Sequence, residues 1–172
     1  ELLVEFTNKL NDYIVQQGEK NIFLYGSSMG AVVVVKAMAD YDLKPAGVFL
    51  EMPFASMQSY LRARARGLGF RGFGEKPFGF LVTLWMGLER GFNGFNNQTT
   101  RYVAKTNCPV LMQWGAADDY VLKSETDRIY NAIASSKKKL VIYDHAGHES
   151  FLQKDAAKWR IEVEKFLSDN NK

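Results

Sequence analysis

Cysteine is almost missing from this chain. Cys108 stands alone, so no internal disulfide can form, and with only two histidines beside it a Cys/His zinc site is excluded as well. Proline occurs four times, too rarely for a proline-rich linker. No apolar run reaches the ~18 residues of a membrane-spanning helix. Nor is there a large excess of one charge, with 22 Lys and Arg against 19 Asp and Glu. What remains is globular composition, 47% hydrophobic and 24% charged over 172 residues. That excludes a disordered tail or a coiled coil and gives room for one domain with its own core. The small net charge of +3 hides an asymmetry, because residues 51–105 carry 8 basic and 3 acidic side chains and so hold the whole positive excess. The chain starts at Glu1 without an initiator methionine or a signal peptide, and residue 1 already lies in a helical pattern, so a fragment of a longer protein is expected.

The hydrophobic pattern alternates between two kinds of segment. Phe6, Leu10, Tyr13, Ile14 and Gln17 recur at steps of three and four before Gly18, which predicts an amphipathic helix over 3–17 with a glycine stop. Asn21 to Tyr25 is a short apolar run without polar alternation, the pattern of a strand buried on both faces. Ala31 to Ala39 continues without a breaker. Its four valines, Val32 to Val35, are weak helix formers, so a helix there depends on tertiary burial. Further strands are expected at Gly47–Leu50, Pro109–Trp114 and Leu140–Tyr143, and further helices at Ser124–Ala134 and Asp155–Leu167. Strands and helices in this rhythm predict an α/β fold, a parallel sheet of about four strands with helices on its faces.

Residues 54–105 interrupt the rhythm, with 8 of the 14 glycines and 7 of the 12 phenylalanines. A connection of that length needs helices of its own and reads as a cap or lid laid over the sheet. The division is therefore 1–53 and 106–172 for the core and 54–105 for the insertion.

Three motifs follow three strands. Gly26-x-Ser28-x-Gly30 lies between an apolar run and a helix-compatible stretch. A tight strand-to-helix turn there lifts a serine hydroxyl above the strand end, and side chains at Gly26 or Gly30 are expected to clash with neighbouring backbone. The plainer reading is a βα turn with a capping serine. Trp114-Gly115-Ala116-Ala117-Asp118-Asp119 follows the third strand and puts a carboxylate on the rim where such sheets build sites, although Asp is also common as a turn residue. His145-Ala146-Gly147-His148 follows the fourth. Serine, acid, then base is the chain order of a hydrolase triad.

At these residues the sequence resembles the α/β-hydrolase superfamily, in particular its serine aminopeptidase-like (lysophospholipase-like) branch. The matching stretches are FLYGSSMGA (Phe23–Ala31), VLMQWGAADDYV (Val110–Val121) and HAGHESF (His145–Phe151). The resemblance implies Ser28 as nucleophile, Asp118 as acid and His148 as base, with Asp119 and His145 as neighbours and Glu51 as a reserve acid. It implies the backbone N–H of Met29 as one oxyanion donor, and a second donor and about half of an eight-stranded sheet upstream of Glu1. It implies a serine hydrolase acting on a small-molecule carboxylic ester, with thioester or amide as alternatives, and no metal or organic cofactor. The rival is a catalytically inactive hydrolase-fold fragment kept for binding.

Gly67-x-Gly69-x-x-Gly72 has dinucleotide-fingerprint spacing but follows an arginine run, not a strand. Arg62, Arg64, Arg66 and Arg71 lack a nucleic-acid-binding module around them and read as a solvated face or a lid contact, so no nucleic-acid partner is expected. A basic, aromatic lid also suits an anionic membrane surface. Asn97-Gln98-Thr99 is a glycosylation sequon, meaningful only in a eukaryotic secretory setting. Lys137–Lys139 reads as a solvated loop. The cytoplasm is the favoured compartment, with an upstream signal or membrane anchor as the alternative.

Overall fold

The computed structural model describes residues 2–17, 22–70, 72, 74–91 and 93–170. Glu1, Gly18, Asn21 and Arg71, named above, lie outside the described residues, as do the side chains of Phe6, Ile14 and Gln17. Among the described residues four strands, β1 (Phe23–Ser27), β2 (Gly47–Glu51), β3 (Val110–Gly115) and β4 (Lys138–Tyr143), form one parallel sheet in the order β1-β2-β3-β4. Eight helices accompany them among the described residues: α1 (Leu2–Gln17), α2 (Met29–Tyr41), α3 (Met57–Gly67), α4 (Glu75–Arg90), α5 (Thr99–Val103), α6 (Lys123–Ala132), α7 (Phe151–Lys154) and α8 (Ala156–Asn170).

The apolar runs became strands because both of their faces find cover. Every residue of β2 and β3 is buried. Register sorts their side chains into two layers. Leu24, Val48, Leu50, Val110 and Met112 meet α2, α5 and α6 through Val34, Val35, Val103 and Ile129. Phe49, Leu111 and Val141 face the other way, onto Phe166 of α8. The valines of α2 are held as expected, with Val32, Val34 and Val35 all buried, so packing overrides their weak propensity.

β1 departs from its expected pattern. It begins at Phe23 and runs to Ser27, and it pairs only with β2 among the described residues, so Tyr25 is 53% exposed instead of buried. The expected C-terminal helix is α8, running on to Asn170, and a short unexpected α7 precedes it, with Asp155 between them accepting a hydrogen bond from the Lys158 N–H. Lys138 and Lys139 are strand residues, not loop. The Lys138 ammonium donates to the carbonyls of Tyr130 and Ile133, where the end of α6 leaves acceptors unsatisfied.

The segment between β2 and β3 holds α3, α4, a 3-10 turn (Gly94–Asn96) and α5. Ser56 opens α3 with a reciprocal capping box to Ser59. Helices α3 and α4 pack at Gly79, where an added methyl would lie 2.9 Å from the Arg62 side chain and 3.3 Å from the Gln58 carbonyl. Gly67, Gly69 and Gly72 lie at the end of α3 and in the turn after it, with φ of +91° at Gly69 and +70° at Gly72. No strand precedes them, so the dinucleotide spacing is coincidental. In the sequon, Thr99 is buried with its hydroxyl bonded to the Phe54 carbonyl, and the Asn97 carbonyl accepts from the Met57 N–H.

Candidate active site

Three loops leave the C-terminal ends of β1, β3 and β4 and meet. The first is the turn from β1 into α2. Ser28 takes φ +53° and ψ −117°, a backbone conformation that costs a non-glycine residue on the order of 1–3 kcal/mol. Its N–H donates to the Glu51 carbonyl at 2.8 Å, tying the strained residue to the end of β2. Gly26 is obligatory: a Cβ there would fall 2.6 Å from both the Ala31 Cα and the Gly30 carbonyl oxygen. The same expectation fails at Gly30, where an added Cβ meets nothing within 4 Å. The backbone that crowds Gly26 is that of Gly30 and Ala31 in the first turn of α2, whereas the Cβ direction of Gly30 itself points into open space.

The second loop follows β3. Asp118 is buried, and its carboxylate is committed at both oxygens. Oδ1 accepts from the N–H groups of Tyr120 and Val121 at 2.8 and 2.9 Å, and Oδ2 lies 2.8 Å from His148 Nδ1. The third loop presents His148, whose Nε2 lies 2.9 Å from Ser28 Oγ. A hydroxyl, an imidazole and a carboxylate thus form one continuous hydrogen-bonded chain. Asp119 and His145 stay exposed and outside it.

The loops reach one another because Gly115 lets them. A methyl there would stand 2.3 Å from the Ala146 carbonyl oxygen and 2.7 Å from that of Gly147, and the Ala117 N–H bonds the Ala146 carbonyl at 2.9 Å. The glycine was legible as the strand-ending residue three positions before Asp118, but its close approach was not. Sequence reasoning also missed the rings on either side of the imidazole. Tyr120 stacks on it at 5.4 Å between centroids, and Phe54, from the start of the β2–β3 segment, lies at 5.5 Å.

Glu51, the reserve acid, points elsewhere. Its carboxylate accepts from the Tyr25 hydroxyl at 2.9 Å and from the Trp159 indole N–H at 2.6 Å, on the face covered by α8. Register explains this, because Glu51 shares its face with Phe49, two residues earlier. Burial raises its pKa above the usual carboxylate range, and the Trp159 and Tyr25 hydrogen bonds offset part of that rise. The Tyr25 hydroxyl is in turn pushed well up, first by burial and then by the adjoining Glu51 charge. Cys108 is a half-buried thiol whose pKa burial pushes up to about 12, so it is no nucleophile.

Met29 is the first residue of α2, where helix N–H groups have no intrahelical acceptor. Of the arginines, Arg64 is exposed, while Arg62 and Arg66 are partly buried. Arg66 donates to the carbonyls of Asp119 and Tyr120 at 3.0 and 2.7 Å, a contact between the inserted segment and the acid loop.

Residues 84–155 match the model of the family described as serine aminopeptidase, S33. This span includes Asp118 and His148 and stops short of Ser28. Among solved structures, a monoacylglycerol lipase of Paleococcus ferrophilus superposes with a TM-score of 0.67 at 22% identity, over 96% of this chain and 75% of that one. An esterase of Rhodococcus sp. ECU1013 matches at 0.65 and 17%, over 96% of this chain and 72% of that one. An esterase of Pyrococcus furiosus matches at 0.65 and 18%, over 87% of this chain and 54% of that one. A search of the curated proteins found no match. The superpositions show that the chain has a partial α/β-hydrolase fold, and the family match falls within its second half.

Proposed function

We propose that the protein is a serine hydrolase that cleaves a small carboxylic ester through an acyl-enzyme. The observation carrying this reading is the Ser28 Oγ–His148 Nε2–Asp118 Oδ2 chain, with both links under 3 Å and its members drawn from three separate loops. Ser28 attacks the carbonyl carbon while His148 Nε2 takes the hydroxyl proton. His148 then gives that proton to the leaving alcohol, and a water hydrolyses the acyl-enzyme by the same relay. Asp118 holds the Nδ1–H tautomer and stabilises the imidazolium. Because its Oδ1 is already bonded to two backbone N–H groups, the acid does not swing. The N–H of Met29 supplies one oxyanion donor, aimed from the start of α2. The solved structures that this chain resembles include a monoacylglycerol lipase and an esterase, which favours an ester over an amide.

Residues 54–105 act as the cap over this site, with Phe54 against His148 as their point of entry. One face of α4 supports a second role for the cap, contact with a membrane surface. Phe80, Leu81, Leu84, Trp85 and Leu88 are all exposed there, with Lys76 and Arg90 at the helix ends.

A fluorophosphonate probe tests the chemistry. Labelling of the protein and its loss in Ser28→Ala are expected, and an unlabelled protein, or equal labelling of both, overturns the assignment. Esters of graded chain length compared with aminoacyl amides then decide the substrate class. Sedimentation with anionic vesicles tests the α4 face.

A further inference from the structure

Arg66 belongs to none of the reacting groups, yet it is the side chain through which the inserted segment holds the acid loop. It sits in the last turn of α3 with 17% of its side chain exposed. Nε donates to the Asp119 carbonyl and one terminal nitrogen to the Tyr120 carbonyl, while the other terminal nitrogen pairs with Glu75 of α4 at 3.2 Å. The two carbonyls flank the turn that Asp118 closes from inside, through the N–H groups of Tyr120 and Val121. The turn is thus pinned from both sides, by Asp118 within and by the guanidinium without. The neighbouring Gly67 reinforces the contact, since a methyl there would stand 2.9 Å from the Tyr120 hydroxyl oxygen, and the Tyr120 ring stacks on His148.

We propose that Arg66 is a positioning residue that couples the α3–α4 unit to the triad. It fixes the loop that sets the Asp118 Oδ2–His148 Nδ1 contact and the Tyr120 ring. Only a guanidinium presents a planar fork to two successive carbonyls while pairing with a carboxylate, so lysine is a poor substitute. The proposal rests on the serine-hydrolase reading above.

Kinetics on a short activated ester, with the full chain, test it. Arg66→Ala lowers kcat on the order of ten- to a hundredfold with KM nearly unchanged, because a small misplacement of a reacting group is costly. Arg66→Lys restores only part of the loss. In an Asp118→Asn background Arg66→Ala brings no further fall in kcat, since its effect passes through the acid. A rise in KM at constant kcat, or losses that multiply in the double variant, overturns the proposal. If Arg66→Ala fails to fold by circular dichroism, Arg66→Lys, which keeps the stem and the charge, carries the same double-variant comparison. Turnover that survives Ser28→Ala instead overturns the hydrolase reading itself. Turnover that needs Ser28 but is indifferent to Arg66 removes only the coupling.

Discussion

The strands β2 and β3 and the helix α4 are made of similarly apolar residues, yet they bury them in opposite ways. All eleven positions of the two strands are buried, whereas only Gly79 and Thr83 of the sixteen in α4 are. The strands lie between two helical layers. Helix α4 has α3 beneath one side, and Phe80, Leu81, Trp85 and Leu88 stand in the open on another. Tight burial gives the loops at the strand ends a rigid base, while an exposed apolar face gives α4 little hold on the fold. Precision of the reacting groups belongs with the first region and surface contact with the second.

The largest effect expected is on the chemistry carried by the rigid region. Ser28→Ala lowers kcat on the order of a millionfold, measured as steady-state ester hydrolysis. Asp118→Asn follows at roughly ten-thousandfold, and Glu51 does not rescue it, because that carboxylate is held by Tyr25 and Trp159 on the α8 face. Residual activity in this variant that disappears on adding Glu51→Gln would break the assignment of the acid.

The next test is of stability. Leu111→Ala, in the fully buried β3, costs about 2–5 kcal/mol in urea unfolding, whereas Leu88→Ser, 75% exposed on α4, changes stability by less than about 0.5 kcal/mol. Equal costs would erase the contrast between the two regions. The smallest effect concerns Glu51. Its folded-state pKa lies above the ordinary carboxylate value because the group is buried, so the folded protein binds its proton more tightly than the unfolded chain does. Stability from this group is complete below the unfolded pKa and is lost as pH rises through the folded one. Glu51→Gln is therefore expected to flatten the fall in the urea midpoint on going from acid towards neutrality. An unchanged slope would assign that fall to other groups.

Much of this was legible in the sequence because the information was local. A strand buried on both faces can only be written as an apolar run, and the loops after β1, β3 and β4 carried serine, acid and base in order. Gly26 was legible for the same reason, since its neighbours in space, Gly30 and Ala31, are its neighbours in sequence. Gly115 was not, because the carbonyls it must clear belong to Ala146 and Gly147, some thirty positions away. Phe54 and Tyr120 beside His148, and Arg66 on the acid loop, were hidden for that reason too. In α4, pattern alone could not distinguish a face that packs on α3 from one that stays open.

Composition and periodicity thus determined that the chain forms a parallel α/β sheet with an inserted helical segment, and which residue types stand at the strand ends. Tertiary structure alone decided which of Asp118, Asp119 and Glu51 meets His148. The choice depends on the side to which the register turns each carboxylate, and on a glycine that lets two distant loops close to within hydrogen-bonding distance.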